Sequence, residues 1–227
     1  APIDIEIQHI VNALAAFINS EWRSFDSRFD RSLIGEITLT EAESRGRDLF
    51  FGDAGCASCH SGKFFTDQEF HAIGIPQFGP GRTRPFDPYA RDIGRMAETD
   101  DLEDAYRFRT PSLRNVELTA PYGHSGAYQN LEDIVRHHTA PEESLSAWKK
   151  TNAVIPNADW LAPTDFVVLS DRREMARLSA AINIDPVRLS DAEIADMVAF
   201  LKSLTGADSV DGRLGRPETV PSGLPVD

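Results

Sequence analysis

The sequence predicts an all-α fold with long loops and little or no sheet. Two capping boxes, in which a helix-capping hydroxyl is followed three residues later by glutamate, begin at Thr40 and Ser190. These boxes predict one helix over residues 41–51 and another over residues 191–204, which Gly206 terminates. Residues 62–98 are rich in Gly, Pro and Asp, which is typical of a long ordered loop that is functional or wraps a cofactor. Helices joined by long loops are therefore the expected architecture.

Two further helices follow from the spacing of apolar residues. The segment 3–18 carries apolar side chains on one helical face, namely Ile3, Ile7, Ile10, Val11, Leu14, Phe17 and Ile18. Residues 130–138 repeat the pattern with Leu131, Ile134 and Val135, and His138 falls one turn beyond Ile134. Pro141 is expected to end this helix.

Composition limits the classes of function. The chain has 227 residues, of which 41% are hydrophobic, enough for one good core. No stretch approaches the roughly 20 apolar residues of a membrane span, so none is expected. The net charge of −13 argues against nucleic acid as a partner and suits a basic redox protein, although a solvated acidic surface is the commoner meaning of such a charge.

The most specific motif is the Cys-x-x-Cys-His run at residues 56–60. This run is typical of covalent c-type haem attachment, with thioethers at Cys56 and Cys59 and His60 as the proximal iron ligand. A redox dithiol does not need the histidine, and a zinc site lacks further ligands in a second motif. The chain contains two cysteines, so one haem c is expected. Covalent attachment takes place outside the cytoplasm, which predicts a periplasmic location.

Three separated segments carry a resemblance to a known family. Residues 107–126, which include Thr110-Pro111-Ser112-Leu113 and Pro121-Tyr122-Gly123-His124, closely resemble the bacterial di-haem cytochrome c peroxidases, a family with a MauG branch. Residues 65–71 and 92–95 also look like that family, and the helix over 191–204 looks like a cytochrome c closing helix. The resemblance therefore implies a cytochrome c-like haem domain.

The resemblance also implies a domain organisation. Family members have two cytochrome c domains, in which the N-terminal haem reacts with peroxide and the C-terminal haem transfers electrons. This chain resembles the C-terminal domain over roughly residues 36–206, so we expect a cytochrome c domain at 36–227. Residues 1–35 look like the end of the preceding domain. The second haem motif is missing, so the chain is expected to be a fragment, a split subunit or a member reduced to one haem.

The second axial ligand departs from both branches of the family. Where the resemblance implies methionine in the peroxidases and tyrosine in the MauG branch, counting from His124 gives His138. Imidazole binds iron well, so a His60–His138 pair is reasonable. The alternative is that His138 is an exposed histidine at a helix end. In that case Met96 is the rival ligand. His137 points about 100° away from His138 and is expected at the surface, whereas Met197 is expected in the core.

Other site residues are weaker expectations. Arg109 and Arg114 could pair with haem propionates, because guanidinium matches a carboxylate, but surface salt bridges are an equal alternative. The resemblance implies a calcium ion between the two domains, held on this chain by the backbone carbonyls of Thr119 and Pro121.

Three functions remain open at this point. The first is the electron-transfer half of a peroxidase-like enzyme, working with an N-terminal haem domain or subunit and a small redox protein. The second is a free-standing monohaem electron carrier. The third is a MauG-like enzyme that oxidises side chains of a partner protein.

Overall fold

The fold is described from a computed structural model, which covers residues 5–21, 23–79, 91–155, 158–160, 162–210 and 219–223. The structure of these residues is mainly helical, as expected. In chain order the helices are α1 (Ile7–Glu21), α2 (Arg28–Leu33), α3 (Glu41–Phe51), α4 (Met96–Thr99), α5 (Leu131–Thr139), α6 (Pro141–Ala147), α7 (Val167–Ser170), α8 (Arg172–Ala180), α9 (Asp191–Lys202) and α10 (Ala207–Val210). None of the described helices is long and apolar enough to cross a membrane.

The described sheet is minimal. Strands β1 (Phe70–His71) and β2 (Phe108–Arg109) pair antiparallel, with Phe70 opposite Arg109. Both strands lie in loops that flank the helices, so the expectation of little or no sheet is confirmed.

The centre of the domain is the crossing of α3 and α9. Both capping boxes form, with Thr40 and Ser190 accepting the N–H groups of Glu43 and Glu193. The helices meet at Gly46, where an added Cβ would lie 2.0 Å from the carbonyl oxygen of Asp196. Such close backbone contact requires glycine at this position.

A cluster of phenylalanines fills the space beside this crossing. Phe50 of α3 and Phe200 of α9 are 2% and 0% exposed, and their ring centres lie 5.1 Å apart. Phe29 of α2 packs edge-on against Phe200 at 5.5 Å, and Phe65 closes the cluster from the loop after the haem motif. Although the sequence groups residues 1–35 with a preceding domain, α2 thus contributes to the same core as α3 and α9.

Helix α1 differs from the other long helices. Its apolar face is solvent-exposed, with Ile7 74%, Val11 54% and Leu14 56% accessible. Helix α5 ends at Thr139, before Pro141, as expected, but Pro141 then becomes the first residue of α6, where its fixed φ favours helix initiation.

Candidate haem site

The Cys-x-x-Cys-His segment forms one tight helical turn. Gly55 enters it with φ of +67°, and the N–H groups of Cys59 and His60 both point at the Cys56 carbonyl, at 3.4 and 2.9 Å. Both thiols are free and half-buried. Burial raises the pKa of Cys56 to about 11. A thiol that resists ionisation is a poor nucleophile for thiol–disulfide exchange.

The His60 ring is held by the loop that follows it. Its Nδ1 lies 3.1 Å from the carbonyl oxygen of Phe65, a residue in the left-handed region with φ of +53°. A carbonyl can only accept, so Nδ1 carries the proton and Nε2 keeps its lone pair. Burial, together with the neighbouring His138, lowers the pKa of His60 to about 4. The ring is therefore neutral, the form in which histidine binds a metal.

The His138 ring is oriented in the same way from the opposite side. It stands in the last turn of α5, which Asn130 caps by accepting the Asp133 N–H at 2.9 Å. Its Nδ1 donates to the Ile134 carbonyl at 2.8 Å, leaving Nε2 as the free nitrogen. Burial lowers the pKa of His138 as well. Metal-binding histidines usually anchor the second ring nitrogen on such a carbonyl.

The distance between the two ring centres fits one metal ion held by both histidines. Their centres lie 6.4 Å apart, with the ring planes inclined by 63°. Two metal–imidazole bonds of about 2.0–2.1 Å on opposite sides of one ion place ring centres roughly 6.3 Å apart. Cys56 and Ala57 pack against the main apolar cluster, which includes Leu131 and Val135 of α5. Paired ligands, two thiols and apolar walls fit haem c.

His137 is not at the surface, and that expectation is wrong. Its side chain is fully buried, with its Nε2 2.6 Å from the Ile73 carbonyl and its Nδ1 2.7 Å from the Tyr128 hydroxyl. Turning 100° away from His138 brings it into the core, because Ile73 and Tyr128 cover that side of α5.

Met96 and Met197 lie in different apolar clusters. Met197 is 2% exposed in the main core, as expected. Met96 packs with Ile93, Tyr106 and Leu178 in a second apolar cluster, distinct from the one that contacts Cys56. The structure therefore favours His138 over Met96 as the partner of His60.

The two candidate propionate ligands have different surroundings. Arg109 is exposed and donates to Gln68 Oε1 at 2.8 Å, so its assignment stays a prediction. The two terminal nitrogens of Arg114 donate to the Asp30 carboxylate at 2.7 and 2.9 Å, and its Nε donates to the Lys63 carbonyl. This ion pair links α2 to the rest of the domain, and the assignment of Arg114 as a propionate ligand stays a prediction.

The expected calcium ligands lie in an exposed turn. Thr119 and Pro121 are both solvent-accessible, and the Thr119 hydroxyl donates to the Val116 carbonyl at 3.0 Å. Their role as calcium ligands stays a prediction.

A polar group that the sequence did not single out surrounds the second cysteine. Cys59, Asp67 and His71 have their potential ligand atoms within 4.8 Å of one another. His71 Nε2 contacts Asp67 Oδ2 at 2.9 Å, and the Asp67 N–H donates to the Cys59 carbonyl at 2.8 Å. Burial opposes ionisation of Asp67, but hydrogen bonds outweigh it and lower its pKa. A thioether at Cys59 would carry no charge, so this group would be a weak metal site. We therefore interpret Asp67 and His71 as hydrogen-bonded support for the turn that carries the haem motif.

Comparison with known proteins agrees with this geometry. The chain is 30% identical over 203 residues to the methylamine utilization protein MauG of Methylorubrum extorquens, covering 88% of this chain and 45% of the relative. It is 28% identical over 236 residues to a cytochrome c peroxidase of a Pseudomonas species, covering 96% of this chain and 54% of the relative. The chain belongs to the MauG and di-haem cytochrome c peroxidase family.

Solved structures place the fold in the same group. A MauG-like protein associated with microbial copper homeostasis superposes with a TM-score of 0.63 at 32% identity, covering 89% of this chain and 58% of that structure. The di-haem peroxidase BthA of Burkholderia thailandensis shares the fold, with a TM-score of 0.62 at 24% identity, covering 93% of this chain and 57% of that structure. No protein-family model matches the sequence. This family member spans about half the length of the relatives it matches.

Proposed function

We propose that this chain is the haem c electron-transfer domain of a di-haem cytochrome c peroxidase-like oxidoreductase. In this role it relays electrons to or from a peroxidatic haem that this chain does not contain. The observation that carries the proposal is the His60–His138 pair, with ring centres 6.4 Å apart and both Nδ1 atoms held by backbone carbonyls. Both anchored imidazoles would hold the haem iron, and a centre held in this way would favour electron transfer over binding of peroxide.

The protein groups around this pair have defined tasks. Bound haem supplies one-electron redox chemistry. Cys56 and Cys59 would hold it covalently, and the Phe65 and Ile134 carbonyls orient the two imidazoles. The apolar cluster excludes water from the site. Imidazoles held by main-chain carbonyls would move little between oxidation states, which would suit electron transfer.

The exposed face of α1 supports the presence of a preceding domain. Apolar side chains form a continuous exposed stripe along this helix, consisting of Ile7, Ile10, Val11, Leu14, Phe17 and Ile18. A stripe of this kind is typical of a helix whose packing partner lies elsewhere. The preceding haem domain or subunit is the proposed partner, with calcium bound between the two.

The proposal also includes a redox partner and a cellular location. A small redox protein exchanges electrons with this haem, and the net charge of −13 favours a basic one. Because covalent haem attachment takes place outside the cytoplasm, a periplasmic location is part of the proposal. A free-standing monohaem carrier is the less favoured alternative, because it leaves the stripe on α1 unexplained.

A MauG-like oxidation of partner side chains is the second candidate function. It is favoured by the His60–His138 pair, because imidazole lacks the potential-raising effect of a methionine ligand. A more reducing haem is better suited to sharing a highly oxidised state than to simple removal of peroxide.

The test is haem content and turnover of the natural gene product. Pyridine haemochrome analysis should give two haems per functional unit, and hydrogen peroxide should oxidise a reduced small cytochrome in its presence. One haem per unit without peroxide consumption would establish the carrier instead. Oxidation of a partner protein's side chains without oxidation of the cytochrome would favour the MauG-like function.

A further inference from the structure

We propose that an apolar groove beside the haem motif is the docking face for the small redox protein, and that this partner presents an apolar surface bordered by a carboxylate. The groove is formed by α2, the end of α3 and the loop after the haem motif. Its apolar lining consists of Phe25, Phe29, Leu33, Ile34, Phe51 and Phe65. The inference rests on the proposed function, because it needs a haem that exchanges electrons with such a protein.

The groove combines a buried floor with exposed apolar walls. Its volume is about 550 Å³. The floor consists of Phe29 and Phe65, which belong to the main core. The wall side chains are from 36% to 72% exposed and consist of Phe25, Leu33, Ile34 and Phe51. Large apolar side chains grouped in this way at a protein surface are typical of an interaction site.

The groove adjoins the loop that holds His60. Phe65 lies on its floor, and the carbonyl oxygen of the same residue is 3.1 Å from His60 Nδ1. Gly62 and Lys63, which follow His60 closely in the chain, also line the groove. A protein seated there would therefore lie close to the proposed proximal ligand, which is where a partner that exchanges electrons with the haem needs to be.

Most charged side chains of the groove are paired within the chain. Asp30 and Arg114 neutralise each other, with a nitrogen–oxygen distance of 2.7 Å. Arg31 pairs with Glu36 at 3.1 Å. These four residues leave no net charge on the groove.

Lys63 is the exception. It is solvent-exposed and forms no ion pair with any residue that the structure describes. Its Nζ lies 4.2 Å from the centre of the Phe25 ring, so the ammonium is held against an apolar wall. The net charge of −13 draws a basic protein from a distance. At the point of contact, however, Lys63 favours a carboxylate on that protein.

A protein is favoured over the other possible occupants of the groove. The preceding haem domain is already paired with the exposed stripe on α1 in the proposed function. A small molecule is less suitable, because small-molecule sites bury most of their ligand, whereas the walls of this groove are exposed. Redox proteins associate transiently through small interfaces, so a groove of this size is sufficient.

The experiment uses the haem-loaded natural gene product and a plastocyanin as the probe. This copper protein has an apolar face flanked by carboxylates, which is the proposed chemistry. The reduced haem protein is mixed with oxidised plastocyanin at physiological ionic strength, where charges more than about 8 Å apart are largely screened. One electron passes from the haem iron to the copper, and stopped-flow absorption gives the second-order rate constant.

Two groove variants are compared with two matched controls. Leu33→Asp and Lys63→Glu should each lower the rate constant about tenfold, because one adds a charge to the apolar wall and the other repels the carboxylate. Leu102→Asp adds the same charge at another exposed leucine, and Lys149→Glu makes the same change in net charge at another exposed lysine. Both controls should stay within about twofold of the unmodified protein. Lys63→Arg keeps the positive charge and should keep the rate.

A small oxidant separates docking from damage to the haem. All these variants should react with tris(phenanthroline)cobalt(III) at similar rates, because this complex needs no docking face. Parallel losses with the cobalt complex and plastocyanin would place the effect at the haem and overturn the proposal. Equal rate constants for Leu33→Asp and Leu102→Asp, an unchanged or faster reaction of Lys63→Glu, or a haem that reacts with the cobalt complex but not with plastocyanin would also overturn it.

Chemical labelling shows what covers the groove. Ile34→Cys should react with a maleimide about as fast as Leu102→Cys, and an excess of oxidised plastocyanin should slow only the former. Protection of Ile34→Cys without plastocyanin would assign the groove to the preceding domain or to a second copy of the chain, against the proposal. Neither peroxide nor a second haem enters these measurements. A gene product with one haem and no peroxide consumption would therefore overturn the proposed function, while the rate constants would still decide the docking face.

Discussion

The His60 and His138 rings lie beside each other, with ring centres 6.4 Å apart and ring planes inclined by 63°. Each ring is held at its Nδ1 by a backbone carbonyl, of Phe65 in one case and Ile134 in the other. The pair is thus oriented by main-chain geometry on both sides. The predictions that follow begin with this pair.

Replacing His138 with glycine should open one axial position. We expect His138→Gly to convert a low-spin haem spectrum into a high-spin one and to allow cyanide to bind, as measured by absorption spectroscopy. His9→Ala, at an exposed position on α1, is the control and should leave the spectrum unchanged. An unaltered low-spin spectrum in His138→Gly would transfer the ligand role to Met96 or another residue.

The haem should be attached by two thioether bonds. Acid–acetone extraction is expected to leave the haem with the protein, because thioethers resist it. Cys56→Ala and Cys59→Ala should each retain haem through the remaining bond, with a shifted pyridine haemochrome band, and the double variant should release it. Colour that leaves the unmodified protein with the solvent would contradict the central assignment.

Adding a methyl group at Gly46 should be costly. A Cβ there would lie 2.0 Å from the Asp196 carbonyl oxygen and 2.8 Å from Phe200 Cβ. Although alanine favours a helix over glycine by about 1 kcal/mol, we expect Gly46→Ala to lower the free energy of unfolding by about 2–3 kcal/mol. Urea denaturation measures this difference. Asp48→Ala, at an exposed position on α3, is the control, and a stabilised Gly46→Ala would refute the close crossing.

The Arg114–Asp30 pair should stabilise the fold in a pH-dependent way. Its side chains are 10% and 14% exposed, so we expect Arg114→Gln to cost about 3–5 kcal/mol. Burial alone would raise the pKa of Asp30, but hydrogen bonds from Arg114 and Ser27 lower it overall. The contribution of the Asp30 carboxylate is therefore complete above its unfolded pKa of about 3.9 and is lost as pH falls through the lower folded pKa.

This pH dependence is measured by urea unfolding of the unmodified protein and Asp30→Asn at a series of pH values. The difference in stability between them should shrink in acid. If Arg114 instead bound a haem propionate, Arg114→Gln would shift the reduction potential, whereas Asp30→Asn would leave stability unaffected.

The apolar face of α1 should matter only when its partner is present. Leu14 is 56% exposed, so Leu14→Glu should change the stability of this chain by less than about 0.5 kcal/mol. In a protein that carries the preceding haem domain, the same change should cost about 1.5–3 kcal/mol, because a buried leucine is replaced by a charge. Gln8→Glu, at an exposed polar position of the same helix, is the control. Equal effects with and without that domain would argue against α1 as an interdomain helix.

Local patterns determined much of this protein. The capping boxes at Thr40 and Ser190 and the apolar spacing after them define α3 and α9, because capping and periodicity depend on neighbours within one or two turns. The Cys56–His60 run is equally local, since one turn of chain places two thiols and an imidazole together. The family resemblance, counted from the Pro121–His124 segment, points to His138 in the helix that follows, and its role as an iron ligand stays a prediction.

The tertiary structure decided what depends on contacts between distant segments. Burial of His137 requires the Ile73 carbonyl and Tyr128 on its two sides, and the engagement of Arg114 requires Asp30. Glycine is required at position 46 only because α9 crosses α3 there. Periodicity predicts that a helix face is apolar, but not what covers it. The exposed face of α1 and the buried face of α5 look alike in sequence, and packing alone distinguishes them.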